Sequence, residues 1–187
     1  MNNRTGAVGR SACVLALAVL ATAAMAADYE MVSPAGNYRI SATALSEKTT
    51  GTLELIEEST SAVLATIAIP PAKPRSAPVA VWRDETSDVA IGLDTHNRFS
   101  PAYIFSKTED GRYLAQVEES FGALTGYIGR DTEEFIRLKL FPVEWRGTPV
   151  TGHIVLVTGQ CWDQSGQRYT RRNEPIVVYN DGRLGYR

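Results

Sequence analysis

The sequence predicts an all-β fold, an antiparallel β-sandwich or open barrel of about ten strands rich in hairpins. Apolar residues recur with a period of two along most of the chain, turn sequences bearing Gly and Asp separate these runs, and no segment keeps an apolar stripe at helical spacing. With 187 residues, 44% hydrophobic and 21% charged, and a formal net charge of -2, the composition is that of a globular protein rather than a disordered or highly charged tail.

The strands follow in order. Tyr38, Ile40, Ala42 and Ala44 alternate with Arg39, Ser41 and Thr43, which gives a strand one buried face. Leu53 and Leu55 mark a second strand, and Val63, Ala65, Ile67 and Ile69 a third. A short fourth covers residues 79–83, and Val89, Ile91 and Leu93 make a fifth. Residues 103–106 and 113–117 form a hairpin, because Gly111 at the end of Thr108, Glu109 and Asp110 takes the positive φ that closes it.

Two signals compete over residues 131–140. Asp131 or Thr132 suits a helix N-cap, and Glu133 and Glu134 suit the helix dipole. Ile136, Leu138 and Leu140, however, alternate with Arg137 and Lys139, and Pro142 stops any helix, so a strand is expected over 134–144. Residues 150–162 and 167–179 flank Asp163, Gln164, Ser165 and Gly166 and form a second hairpin. Asn180, Asp181 and Gly182 then turn the chain into a last short strand over 183–187.

Pro70, Pro71, Pro74 and Pro78 make residues 70–78 an extended, stiff connector that cannot pair as a central strand. It separates residues 27–69 from the remaining sheet inside one domain over 27–187, since about forty residues rarely build a core of their own.

Arg4 and Arg10 precede an apolar run over residues 12–25, too short for the ~20 residues of a membrane span. Ala24, Met25 and Ala26 supply small residues for cleavage, so residues 1–26 read as a secretory signal removed before Ala27. The expected mature chain has no transmembrane segment, and its location is the periplasm or the outside of a bacterial envelope. Without Arg4 and Arg10, 17 basic residues remain against 21 acidic ones, a net charge of -4. Cys13 leaves with the signal, and Cys161, alone, has no internal disulfide partner.

Chemical motifs are sparse. No Gly-x-Ser-x-Gly elbow, phosphate loop or dinucleotide fingerprint occurs, so no cofactor is expected. His96 and His153, the only histidines, belong to no metal-binding cluster, and no metal is expected. Asp84, Thr86 and Asp88 echo a calcium loop, but Val89 stands where that loop needs Gly. Asp94 and His96 share one face of an extended strand, the spacing of a base with its orienting carboxylate. The pairs Glu57 with Glu58, Glu118 with Glu119 and Glu133 with Glu134 read as solvated rims, since strand neighbours face opposite sides.

The best nucleophile is Cys161, with His153 or His96 as its base. Cys161 and His153 share a face of one strand but lie about 25 Å apart along it. That combination defines the alternative reading, a small envelope hydrolase or transferase; the plainer role of Cys161 beside Trp162 is a small buried hydrophobe.

A faint repeat has a period of 63: Trp82 and Arg83 precede Ile91, Leu93 and Thr95 at the offsets at which Trp145 and Arg146 precede Ile154, Leu156 and Thr158. Its first copy resembles the Trp, turn and apolar-Ala cadence of β-propeller blades. Two copies cannot close a propeller, which takes about four.

Binding features are better represented. Residues 168–187 carry Arg168, Arg171, Arg172, Arg183 and Arg187 against Glu174 and Asp181, a basic end on an acidic body. Such an end suits an anionic envelope component or an acidic protein partner rather than nucleic acid. Tyr127, in a segment with Gly122, Gly126 and Gly129, is the expected loop contact. The leading expectation is a non-enzymatic exported β-module that binds through Tyr127, Arg168, Arg171 and Arg172. A structural assembly subunit, with oligomers formed through unpaired sheet edges, is the third reading.

Overall fold

A computed structural model describes residues 27–84, 86–118, 129–147, 152–181 and 183–186. The expected signal, Tyr127 and most of its glycine-bearing loop lie outside the described residues. The fold is all-β: thirteen strands and one 3₁₀ turn occur among the described residues.

The first sheet has the order β1-β2-β3-β4, all antiparallel, from β1 (Ala27–Val32), β2 (Tyr38–Leu45), β3 (Gly51–Glu57) and β4 (Ala62–Ile69). Its inward residues include Ile40, Ala42, Leu53, Leu55, Ile67 and Ile69, as the alternation requires. Two bulges break that alternation. Ala44 takes φ 57°, its N–H donates to Asp28 Oδ1 at 2.8 Å, and Leu45 occupies the inward place instead. A register shift between Leu55 and Ile56 turns Val63 out to solvent, against the sequence expectation, and brings Leu64 toward the core.

The connector over 70–78 pairs only through an isolated bridge, Pro74 with Thr95. Arg75 N–H donates to Asp94 O at 2.7 Å and His96 N–H to Lys73 O at 3.1 Å, which fixes it along the residues that follow β6 (Val89–Gly92).

The central sheet has the order β5-β6-β8-β9, with β5 (Val79–Trp82), β8 (Ala102–Lys107) and β9 (Tyr113–Glu118). The β8–β9 hairpin is the expected one, and Gly111 takes φ 87° in its turn. The third sheet has the order β13-β12-β11-β10-β7, built from β7 (Phe99–Ser100), β10 (Phe135–Gly147), β11 (Gly152–Asp163), β12 (Arg168–Tyr179) and β13 (Leu184–Tyr186). The 3₁₀ turn Thr132–Glu134 precedes β10, and Asp131 N–H donates to Glu134 Oε1, so the capping signal and the alternating strand signal are both realised in succession. The β7 and β10 strands run parallel over two residue pairs, an exception to the antiparallel expectation.

The core lies on both faces of the central sheet. Val89, Ile91, Tyr103 and Phe105 join the first sheet's apolar residues, whereas Ala90, Ala102 and Ile104 pack with Leu138, Leu140, Val155, Val157 and Ile176 of the third sheet. This explains why β6 and β8 are apolar without alternation: both of their faces are covered.

Candidate functional site

Two strands carry the apolar face of the second core to its edge and there turn polar. On β8, Ala102 and Ile104 face the third sheet, and the next residue of that parity is Ser106. On β11, Val155 and Val157 face the same core, and the residue of that parity before them is His153. Both line a cleft of about 530 Å³ with the β5–β6 turn, the β8–β9 turn, the end of β12 and Tyr38 of the first sheet. That volume lies within the roughly 300–1,000 Å³ of small-ligand sites.

Asp88 anchors one wall. Its carboxylate, 3% exposed, accepts from Arg83 through Nε at 2.9 Å and Nη2 at 2.7 Å on Oδ2, while Oδ1 accepts the Lys107 N–H at 2.9 Å. The β5–β6 turn is thereby tied to β8, and each carboxylate oxygen has a donor. Across the cleft, Asn180 Nδ2 donates to Glu109 Oε1 and Glu109 N–H to Asn180 O at 3.3 Å, joining the β8–β9 turn to the end of β12. The Lys107 ammonium lies 5.1 Å from the centre of the Tyr113 ring. Burial and then Tyr113 push the Tyr38 hydroxyl above its ordinary pKa.

Between these walls stand two buried polar atoms, Ser106 Oγ and His153 Nδ1, that have no hydrogen-bond partner among the described residues. Burial, and then the Arg83 charge, hold His153 below the usual imidazole pKa against the opposing pull of Asp88, so the ring is neutral at pH 7. Gly152, just before His153, lets β11 come close to β12. Its φ is 148°, and a Cβ there would fall 2.1 Å from Val178 O, so only glycine lets β11 approach β12 at this point.

A serine, a histidine and an aspartate thus share one cleft, yet the hydrogen bonds of a catalytic relay are not formed. Asp88 holds Arg83 and Lys107 N–H rather than the imidazole, and neither Ser106 Oγ nor His153 Nδ1 bonds to a neighbour among the described residues. In this arrangement Ser106 Oγ and His153 Nδ1 retain unused hydrogen-bonding capacity inside the cleft.

The residues singled out from the sequence are dispersed. Cys161 is fully buried in the second core, and burial pushes its thiol up to about 11, with Asp163 adding to the shift and Arg130 opposing it. His153 shares its strand eight residues away, and His96 is exposed beside Arg75, with Nδ1 3.5 Å from Nη2. Asp94 turns to the buried Lys139 ammonium and not to His96. Burial and then Arg75 push Lys139 down to about 8, and its ammonium pairs with the Asp94 carboxylate. Arg171 pairs with Glu174 and Arg183 with Asp181, so part of the basic end is neutralised within its own strand and turn; Arg168 and Arg172 are exposed. None of these arginines lines the cleft.

At the edge of the glycine-bearing loop, Arg130 Nη1 meets Asp163 Oδ2 at 3.2 Å and its guanidinium lies 5.3 Å from the Tyr169 ring centre. Asp163 also accepts from the Ser165 hydroxyl and the N–H groups of Ser165 and Gln167, and is lowered to about 2. This network closes the β11–β12 turn. Among the described residues no group of three or more His, Cys, Asp or Glu is placed to hold a metal ion, and no helix is long and apolar enough to cross a membrane.

The sequence singles out His153 only as a base for Cys161 and Asp88 only as part of a calcium-loop echo, and it passes over Ser106, because no motif joins the three. The usable signal was parity: a polar residue at an inward position of a strand, Ser106 after Ile104 and His153 before Val155. In comparisons with protein-family models, curated proteins and solved structures, the chain has no match.

Proposed function

We propose that this chain is an exported, non-enzymatic β-module that binds a small ligand in the cleft between the β5–β6 turn, the end of β8 and the start of β11. Residues 1–26 are taken as its cleaved signal, the periplasm or the outside of the envelope as its location, and a sandwich as the arrangement of its sheets. The observation that carries the binding reading is the pair Ser106 Oγ and His153 Nδ1, both buried and without partners among the described residues, in one open cleft. Unsatisfied buried polar groups are unfavourable by about 1–3 kcal/mol each, and a bound molecule that pairs with them recovers that cost. The buried, protonated state of Cys161 supports binding over nucleophilic catalysis.

The test is a melting-temperature screen of the purified protein against neutral sugars, small carboxylates, inorganic phosphate and amino acids, repeated with Ser106→Ala and His153→Phe. At least one class is expected to raise the melting temperature of the parent protein and to do so less in both variants. Turnover of nitrophenyl esters, phosphates or glycosides that disappears in His153→Phe would replace the binding reading with an enzymatic one.

A further inference from the structure

We propose that the cleft takes a neutral saccharide unit, bound through its hydroxyl groups by Ser106 and His153. The inference rests on the reading of this cleft as a ligand site and concerns only what the ligand is.

The charged groups of the lining are already engaged. Arg83 holds Asp88, Glu109 holds Asn180, and the Lys107 ammonium lies over the Tyr113 ring. Two cations and two anions, with a neutral imidazole between them, leave the cleft without net charge to attract an ion. An anion placed here would have to compete with Asp88 for Arg83.

The unmet hydrogen-bonding capacity is of another kind. A serine hydroxyl both donates and accepts, and the Nδ1 of a neutral imidazole does one or the other according to its tautomer. Their complement is a group that also does both, as a hydroxyl does. Ser106 is 3% exposed, so its partner must come from inside the cleft rather than from bulk solvent.

The experiment follows the backbone amides of Ser106, Lys107, His153 and Asn180 by two-dimensional ¹⁵N NMR of the purified protein. The probes are maltose, cellobiose and diacetylchitobiose, with sodium acetate and sodium phosphate at matched ionic strength as anion probes. A saturable shift of these amides by a disaccharide is expected, with binding about five-fold weaker in Ser106→Ala and in His153→Phe, the effect of one neutral hydrogen bond. Shifts produced by acetate or phosphate and not by the sugars would overturn the saccharide assignment and leave the cleft a ligand site. Sugar shifts that are unchanged in both variants would overturn it too. No shift by any probe would overturn the assignment together with the binding reading on which it rests.

Discussion

Trp145 Nε1 donates to the main-chain carbonyl of Val81 at 2.8 Å and so joins β10 of the third sheet to β5, an edge strand of the central one. The two Trp-Arg pairs spaced 63 residues apart therefore meet in space, but not as equivalent hairpins. Trp82 faces Val89, seven residues on, whereas Trp145 faces Val155, ten residues on. The equal offsets in sequence are not carried into register, and the spacing is not a structural repeat.

Trp145→Phe keeps most of the ring and removes the donor. It is expected to lower stability by about 1 kcal/mol in urea melts and to speed hydrogen exchange in β5. Unchanged exchange at Val81 and its neighbours would mean that packing alone holds the edge strand.

Ser106→Ala has the opposite sign. A buried hydroxyl without a partner destabilises the free protein, and its replacement by a methyl group of similar shape is expected to raise stability by about 1 kcal/mol. A gain in the melting temperature of the free protein joined to weaker ligand binding is the signature of a group retained for binding. A loss of stability would show that Ser106 serves the fold.

His153 makes stability depend on pH. Its folded pKa lies below the ordinary value of about 6.5 because burial and Arg83 outweigh Asp88, so between the two values the unfolded chain holds a proton that the folded chain does not. Stability is therefore expected to fall as the pH drops through about 6.5 and to go on falling until the folded pKa is reached. Asp163, lowered to about 2, adds its own loss only as the pH falls below the ordinary carboxylate value of about 3.8, well outside that window. Urea midpoints measured from about pH 8 to pH 5 should show the slope in the parent protein and a flatter profile in His153→Gln. Equal slopes would assign the effect to other groups.

Cys161 should be inert in the folded protein. A thiol pushed up to about 11 and fully buried is expected to react with a neutral thiol reagent at pH 7 to 8 only after unfolding. A folded protein that reacts faster than the unfolded chain would restore the hydrolase or transferase reading.

Much of the strand pattern was legible in the sequence because a half-buried strand writes its exposure as a period of two. Ile40 and Ala42, Leu53 and Leu55, and the turns at Gly111 and Gly166 follow directly. Reading failed where pairing, not propensity, sets the outcome. Ala44 and Val63 depart from their expected faces because bulges opposite other strands shift the register, and the two-residue β7 exists only because β10 passes beside it. Asp94 and His96 keep the spacing of a functional pair, but the extended strand that would align them ends at Gly92.

The sequence by itself determined the all-β class, the main hairpins and the stiff proline segment, all consequences of local backbone and burial preferences. Only the tertiary structure decided the site. Ser106 and His153 stand 47 residues apart, and nothing in either strand alone marks them as neighbours. Their meaning comes from the strands that meet around the second core, where Ser106 Oγ and His153 Nδ1 are both buried and without a partner among the described residues. Such a juxtaposition is a long-range property, since it depends on where strands distant in sequence end against one another and on which hydrogen bonds that packing leaves unmade.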